Sequence, residues 1–200
     1  MVNDEGAEPE RPALQVKKVA LIAGGVFAVI VLISGIIWGP TAWRILQEKD
    51  PELSTPDTAA GLTLDTTPPG KATAADIQAA LSAPVQFDKT IGGVYREPGS
   101  TTRSVIVMAG QAIFSDPAEP LDKLFAVITD TAGGVSAKRD VDPGPLGGEA
   151  RCGVTQIDAA AVPVCGWADH GSAGLLLFPG HTPEEAPAKF AALRSAIQHR

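Results

Sequence analysis

One uninterrupted apolar run limits the topology of this 200-residue chain more than any other feature. From Val19 to Trp38 the sequence reads V-A-L-I-A-G-G-V-F-A-V-I-V-L-I-S-G-I-I-W, without a single charged side chain. A helix rises about 1.5 Å per residue, so this run spans about 30 Å, which is the thickness of the hydrocarbon core of a bilayer. The sequence therefore predicts a transmembrane helix over residues 19–39, in contact with the lipid bilayer.

A cleaved signal peptide is the alternative interpretation of this run, because Lys17 and Lys18 precede it. The apolar core of a signal peptide is shorter, about 7 to 15 residues, and is followed by an A-x-A-like site. The residues after Trp38, G-P-T-A-W-R, match such a site poorly, and no cysteine lies nearby for lipid attachment. We therefore favour an uncleaved anchor.

Basic residues on the two flanks of the run predict its orientation. Arg11, Lys17 and Lys18 precede it, whereas Arg44 and Lys49 follow it. Since positive charge favours the cytoplasmic side, the N-terminus is expected in the cytoplasm and the C-terminal part outside it.

Composition divides the rest of the chain. Residues 1–18 are rich in Glu and Pro and predict a short disordered cytoplasmic tail. Residues 40–72 are rich in Pro, Thr and Asp without periodicity, and they predict a juxtamembrane segment and a semi-stiff linker. Residues 73–200 have the size and hydrophobic pattern of one extracytoplasmic domain.

The charge of the chain is distributed unevenly. The net charge is −7, and acidic and basic residues balance up to Lys49, so the entire excess falls on the later residues. A net-acidic domain is a poor candidate for binding nucleic acid or an anionic lipid surface. We expect no nucleic-acid partner.

Alternation between helical and strand patterns in the domain predicts an α+β fold. Three helices are expected, and between them several runs alternate like strands, which predicts an antiparallel sheet of about five to six strands covered on one face. The first helix should begin with Thr73 as its N-cap, and the last with Thr182, Pro183 and Glu185 as a capping box. The apolar stripe of the second helix is Leu121, Leu124, Phe125 and Ile128, and that of the third is Phe190, Leu193 and Ile197.

The two cysteines predict a disulfide. A hairpin whose turn lies between Asp158 and Ala159 places Cys152 directly opposite Cys165, at a distance that a disulfide can bridge. An even pair of cysteines also suits an exported domain. The alternative is two buried free thiols. The spacing is not C-x-x-C and no histidine lies at ligand spacing, so neither a catalytic dithiol nor a zinc site is expected.

Asp169 and His170 form the cluster that most resembles catalytic chemistry. Adjacent residues of a strand point to opposite faces, so Asp169 should not orient the His170 ring as in a catalytic triad. With Gly171 and Ser172 the pair has the composition of a turn. We predict a structural turn, with contact to a ligand as the second hypothesis and catalysis as the third, and we assign no catalytic residue.

Two further segments have weaker patterns. The loop D-V-D-P-G-P-L-G-G-E, residues 140–149, lacks the oxygen spacing of a calcium loop and the Lys-Ser/Thr of a phosphate loop, so neither a metal nor a cofactor is expected there. Ala20, Gly24 and Ala28 recur on one face of the predicted anchor, where small residues allow two helices to approach closely. They suggest a homodimer as one hypothesis.

The runs V-D-P-G-P-L-G-G-E-A-R-C-G and C-G-W-A-D-H-G-S-A-G-L-L-L-F, with the final A-I-Q-H-R, resemble a family of uncharacterised single-pass membrane proteins from actinobacteria. This resemblance implies a bacterial cell membrane and a domain outside the cell. The order of helices and strands is also similar to small extracytoplasmic domains with a Mog1/PsbP-like fold.

These patterns lead to three hypotheses about function. The first is a membrane-anchored domain that binds a partner protein or a component of the cell envelope. The second is an envelope hydrolase that uses Asp169 and His170. The third is a structural subunit of a larger membrane complex.

Overall fold

The computed structural model describes Trp43, Leu46, Glu48 and residues 50–81, 83–132 and 134–200. The predicted tail, the anchor over residues 19–39 and its stripe Ala20, Gly24 and Ala28 lie outside the described residues. None of the described helices combines the length and the hydropathy needed to cross a bilayer. The described residues from Leu46 onward belong to one compact unit.

The compact unit has an α+β fold, as the alternating patterns predicted. Its described residues form three helices: α1 (Pro68–Leu81), α2 (Ala118–Ala132) and α3 (Ala186–Ile197). They also form ten strands: β1 (Glu52–Leu53), β2 (Thr58–Ala59), β3 (Leu62–Leu64), β4 (Lys89–Arg96), β5 (Ser104–Gln111), β6 (Ser136–Asp140), β7 (Glu149–Ile157), β8 (Ala160–Ala168), β9 (Ser172–Leu177) and β10 (Gln198–His199).

The main sheet is antiparallel throughout its described strands, in the order β2-β3-β4-β5-β9-β8-β7-β6. It has eight strands, so the prediction of five to six was too low. A separate two-stranded sheet joins β1 to β10, with Glu52 opposite His199 and Leu53 opposite Gln198. The prediction missed strands of only two or three residues, because such strands are too short to show alternation.

Helices cover both faces of the sheet, whereas the sequence predicted one covered face. On one face, α2 packs its four predicted apolar residues, all of them buried, against β8 and β9. On the other face, the predicted stripe of α3 packs with Leu53, Tyr95 and Trp167. Nearly continuous burial along β8 and β9 agrees with this arrangement, since a strand covered on both sides buries every side chain.

The segment predicted as a linker is part of the folded unit. Leu53, Ala59 and Leu62 are buried in the core, and the Tyr95 hydroxyl donates a hydrogen bond to the Pro56 carbonyl over 2.9 Å. The linker interpretation of residues 50–72 is therefore wrong. Isolated apolar residues among Pro and Thr look like a linker in the sequence, yet each one fills a place in the core.

The first helix begins earlier than predicted. Thr67, and not Thr73, lies at the N-cap, and its hydroxyl accepts a hydrogen bond from the Gly70 amide over 3.3 Å. Pro68 and Pro69 occupy the first turn. Backbone amides there have no acceptor within the helix, so a residue without an N–H loses no hydrogen bond. For this reason two prolines that suggested a stiff linker in fact start a helix.

The start of α3 shows the predicted reciprocal bonds. The Thr182 amide donates to Glu185 Oε2 over 3.1 Å, and the Glu185 amide donates to Thr182 Oγ1 over 3.4 Å. This capping box satisfies two amides that have no partner within the helix. The regular helix begins at Ala186 with Glu185 at its N-cap, three residues after Pro183, so the predicted start at Thr182 and Pro183 was too early.

Candidate functional site

A disulfide-linked hairpin positions the Asp169–His170 loop. Cys152 and Cys165 form the predicted disulfide, and they lie directly opposite each other on β7 and β8 with their Cα atoms 4.0 Å apart. Trp167 follows on the same face and is fully buried. The loop that begins at Asp169 therefore follows a covalently linked and buried part of the sheet.

One carboxylate oxygen of Asp169 closes the turn. Asp169 Oδ1 accepts hydrogen bonds from the Gly171 amide, the Ser172 amide and the Ser172 hydroxyl, at 2.9, 2.7 and 3.0 Å. An Asp side chain that binds the amides two and three residues later is a common way to stabilise a tight turn. This geometry agrees with the structural turn that the sequence predicted.

The other oxygen of Asp169 binds the C-terminal segment of the unit. Asp169 Oδ2 accepts hydrogen bonds from Arg194 Nη2 at 2.9 Å, Gln198 Nε2 at 2.6 Å and Arg200 Nη2 at 3.2 Å. The side chain of Asp169 is completely buried. With six donors around it, this carboxylate is saturated, as a buried charge must be if it is not to destabilise the fold.

Arg194 is the main partner of this carboxylate and is itself fully paired. Its Nε donates to Gln198 Oε1 over 3.0 Å, and its Nη1 donates to the carbonyls of Pro143 and Gly147, each over 2.9 Å. The guanidinium also lies 5.5 Å from the centre of the Trp167 ring, within the range of a cation–π contact. The 140–149 loop thus contributes carbonyl oxygens to an arginine.

Burial lowers the pKa of Arg194 to about 10, and the Asp169 carboxylate opposes this shift. The guanidinium therefore remains charged at neutral pH and needs its carboxylate partner.

Arg200 and Glu48 complete the group around Asp169, with Arg200 Nη2 lying 4.0 Å from Glu48 Oε1. Two positive and two negative side chains meet at this point, and we call Glu48, Asp169, Arg194, Gln198 and Arg200 the Asp169 cluster.

His170 has partners different from those of Asp169. Its backbone amide donates to Glu48 Oε2 over 3.0 Å, and its Nδ1 lies 2.8 Å from the Phe114 carbonyl oxygen. A carbonyl oxygen only accepts, so Nδ1 carries the proton of this bond. Asp169 and His170 are thus neighbours that bind different parts of the fold, and the carboxylate does not orient the ring.

Ser172 is also fully engaged. Its hydroxyl donates to Asp169 Oδ1 and accepts a hydrogen bond from Trp167 Nε1 over 3.2 Å. The residue is completely buried. A nucleophilic hydroxyl must reach both a base and a substrate, and this one is bonded to a carboxylate that other donors already saturate and is buried away from any substrate.

A cleft of about 380 Å³ opens beside this loop, next to Gly171. Gln111 forms part of its floor, and the Gln111 Nε2 donates to the Pro51 carbonyl. The other lining residues are Asp50, Glu52, Asp88, Ala112 and Ile113. The cleft therefore combines three carboxylates with the apolar side chains of Pro51, Ala112 and Ile113.

Gly171 allows the segment before β1 to cross the loop. A Cβ atom at this position would lie 2.0 Å from the Glu48 carbonyl oxygen and 2.6 Å from Pro51 Cδ. No larger residue fits unless the segment moves. Gly171 thus determines how closely the wall of the cleft approaches the Asp169 cluster.

Sequence reasoning missed four members of the Asp169 cluster: Glu48, Arg194, Gln198 and Arg200. One signal was present, because Arg194 lies four residues after Phe190 and three before Ile197, on the buried stripe of α3. An arginine on such a stripe requires a buried acceptor. The sequence offers no indication of which carboxylate that would be.

No group of three metal-ligating side chains converges among the described residues. Comparison with protein-family models, with curated proteins and with solved structures finds no match to this chain. The resemblances drawn from the sequence therefore remain predictions, and function has to be argued from the geometry.

Proposed function

We propose that this protein is a single-pass protein of a bacterial cell membrane whose folded domain lies outside the cytoplasm and binds a partner protein at the cleft beside Gly171. One observation carries the proposal: Ile113, with 70% of its surface exposed, lies at the rim of an acidic cleft. A concave surface that combines apolar side chains with a few polar groups is typical of a binding site.

Two features support the location. The apolar run over residues 19–39 has the length of a membrane anchor. The Cys152–Cys165 disulfide requires an oxidising compartment to form and persist.

The chemistry of the cleft indicates the kind of partner. The carboxylates of Glu52 and Asp88 are exposed and make no hydrogen bond or ion pair with any described residue. Together with Ile113 they fit a segment that carries a Lys or Arg beside an apolar side chain. Burial of one such isoleucine contributes about 1.5 to 3 kcal/mol, while the charges contribute mainly to specificity and the association rate.

One wall of the cleft, the segment around Pro51, is held by contacts within the fold. Pro51 is held by Gln111, and the chain before it crosses closely over Gly171. A preformed surface loses little conformational entropy on binding. A cleft held in this way is suited to one specific partner and does not change shape to bind several different ones.

The second hypothesis, a hydrolase that uses Asp169 and His170, finds less support in this geometry. Asp169 is saturated by six donors, and His170 Nδ1 is bound to a backbone carbonyl. Among the described residues no hydroxyl or thiol donates to His170 Nε2, so the ring has no nucleophile to activate. The third hypothesis is a structural subunit of a larger membrane complex. Such a subunit would use the same kind of contact with a partner protein, but permanently.

Crosslinking from the rim of the cleft tests the proposal. A photoreactive amino acid at Ile113 of the full chain, in native membranes, should link to a protein through a segment that contains Lys or Arg, identified by mass spectrometry. The linkage should be lost in Glu52→Gln/Asp88→Asn and weakened by salt. The matched control places the same amino acid at Ile157, on β7 and away from the cleft.

Three outcomes would contradict the proposal. They are equal crosslinking from both positions, linkage that is unaffected by loss of the carboxylates, and linkage only to lipid or glycan. The last would indicate an envelope component as the ligand.

A separate experiment tests the location. A reporter fused after Arg200 should be active only if it functions outside the cytoplasm, and activity of a cytoplasmic reporter would refute the orientation.

A further inference from the structure

His181, on the turn between β9 and α3, is buried without a complete set of partners. Its Nδ1 lies 3.1 Å from the Pro179 carbonyl oxygen. Because a carbonyl only accepts, Nδ1 carries the proton and Nε2 is left with a lone pair. Among the described residues, Nε2 of His181 is the one buried side-chain nitrogen or oxygen without a hydrogen-bond partner.

The group that faces this lone pair is a carboxylate. His181 Nε2 lies 3.5 Å from Glu97 Oε2. The same oxygen accepts a hydrogen bond from Arg103 Nε over 2.6 Å. A neutral imidazole at this site therefore directs its lone pair toward an oxygen that already has a cationic donor.

Arg103 links two separate parts of the fold. Its Nε binds Glu97, which directly follows β4, and its Nη2 donates to both carboxylate oxygens of Glu185 over 3.1 and 3.2 Å. Glu185 is also a member of the capping box that starts α3. Arg103 thus connects the β4–β5 turn to the N-terminal end of α3, and His181 lies beside that connection.

The groups around His181 shift the pKa of its ring in opposite directions. Burial is the largest effect and lowers the pKa of the ring, and the nearby charges of Arg103 and Lys189 lower it further. The Pro179 carbonyl and Glu97 act in the opposite direction without reversing the shift. Glu185 is the remaining charged neighbour, and its own pKa is lowered in part by His181. The ring is therefore neutral at neutral pH.

We propose that His181 is an acid-sensitive latch: its protonation creates a second cation that competes with Arg103 for Glu97 Oε2 and loosens the start of α3. The imidazolium must either draw Glu97 toward itself or leave its pocket. The first change weakens the Glu97–Arg103 bond, and the second exposes the turn before the helix. The first change thus frees the Arg103 guanidinium from the bond that orients it toward Glu185, and both changes loosen the contact between the β4–β5 turn and the N-terminal end of α3.

The direction of the pH effect follows from linkage. The pKa of His181 is lower in the folded state than its usual value of about 6.5, so the unfolded or opened state binds the proton more readily. The stability that depends on a neutral His181 is therefore complete above about pH 6.5. It is lost progressively as the pH falls below that value.

Hydrogen exchange at the start of α3 tests the latch. The amides of Ala186 and Lys189, which donate to Thr182 and Glu185, report on the N-terminal end. The Gln198 amide, which donates to Arg194, reports on the other end. In the full chain in detergent micelles, protection at Ala186 and Lys189, corrected for intrinsic exchange, should fall relative to Gln198 between pH 7.5 and 5.

Two variants separate the latch from general acid effects. In His181→Gln the relative protection should not change with pH, because glutamine does not titrate. In the control His199→Gln, which removes an exposed histidine, the fall should be the same as in the native protein. An equal fall in all three proteins, or none in the native protein, would overturn the proposal.

A measurement on the native protein covers the case in which His181→Gln fails to fold. The chain has three histidines, so nitrogen-detected NMR can resolve each ring. His181 should carry its proton on Nδ1 at pH 7.5 and titrate with a midpoint below 6.5. A proton on Nε2 at that pH, or a midpoint above 6.5, would refute the mechanism.

Discussion

Arg194 donates to Asp169 over 2.9 Å in a place that water does not reach, with 1% of the arginine side chain and none of the aspartate side chain exposed. Water therefore does not screen this pair, and each charge depends on the other for its compensation. The relationship joins the loop after β8 to α3.

Asp169→Asn should destabilise the protein by about 3 to 5 kcal/mol, because it leaves Arg194 buried without its countercharge. The control is Asp140→Asn, which removes an ion pair to Arg151 from a carboxylate that is 89% exposed. This control should cost less than about 1 kcal/mol. Denaturant unfolding followed by tryptophan fluorescence compares the two, and equal losses would contradict the role of Asp169.

Removal of the disulfide in Cys152→Ala/Cys165→Ala should cost about 3 kcal/mol, because the bond closes a short loop and restricts the unfolded chain. Both cysteines are buried, so reductant should reach the bond only when the hairpin opens. Thiol alkylation checks this. After unfolding in denaturant without reductant the protein should not be labelled, and labelling of both cysteines would show that the bond is absent.

Alkaline pH should release the segment around Pro56. Burial raises the pKa of Tyr95 to about 12, so folding favours the neutral phenol. The stability linked to Tyr95 is complete below about pH 10 and is lost as the pH rises toward 12. Tyr95 is the only tyrosine of the chain, so ultraviolet absorbance of tyrosinate reports on this residue alone.

Tyr95→Phe provides the comparison for that titration. It removes the hydrogen bond to Pro56 and should cost about 1 kcal/mol at neutral pH. It should also reduce the alkaline loss of stability. A titration midpoint near 10 in the folded protein would argue against a buried phenol.

Gly171→Ala should displace the segment before β1, because the new Cβ would overlap the Glu48 carbonyl. The control is Gly99→Ala, at an exposed turn with a φ of 78° where a Cβ meets no neighbouring atom within 4 Å. The control should cost about 1 to 2 kcal/mol through backbone strain alone. Gly171→Ala should cost more and should accelerate proteolysis near Glu48, and cleavage at the native rate would contradict the close packing.

The parts of the fold that were predicted correctly depend on local patterns. The register of the Cys152–Cys165 hairpin follows from one turn and strict alternation. The buried stripes of α2 and α3 follow from spacing of three and four residues. Such signals lie within one element, so they survive in any fold that contains the element.

The remaining features depend on contacts that are distant in sequence. Asp169 and Arg194 are 25 residues apart, and Glu48 reaches the loop from more than 100 residues away. Tyr95 fixes Pro56 across 39 residues. No local pattern encodes these pairs, and for this reason the Asp169 cluster and the folded segment over residues 50–72 became apparent only in the structure.

The pairing of β1 with β10 has a mechanical consequence. The segment that precedes β1 is attached to the fold through Glu48 and through a strand pair formed with the C-terminal segment. Tension applied to the chain from its N-terminal side is therefore shared among several bonds that act in parallel. Bonds that share a load must fail together, so this domain should withstand a sustained pull at the end where an anchor would exert it.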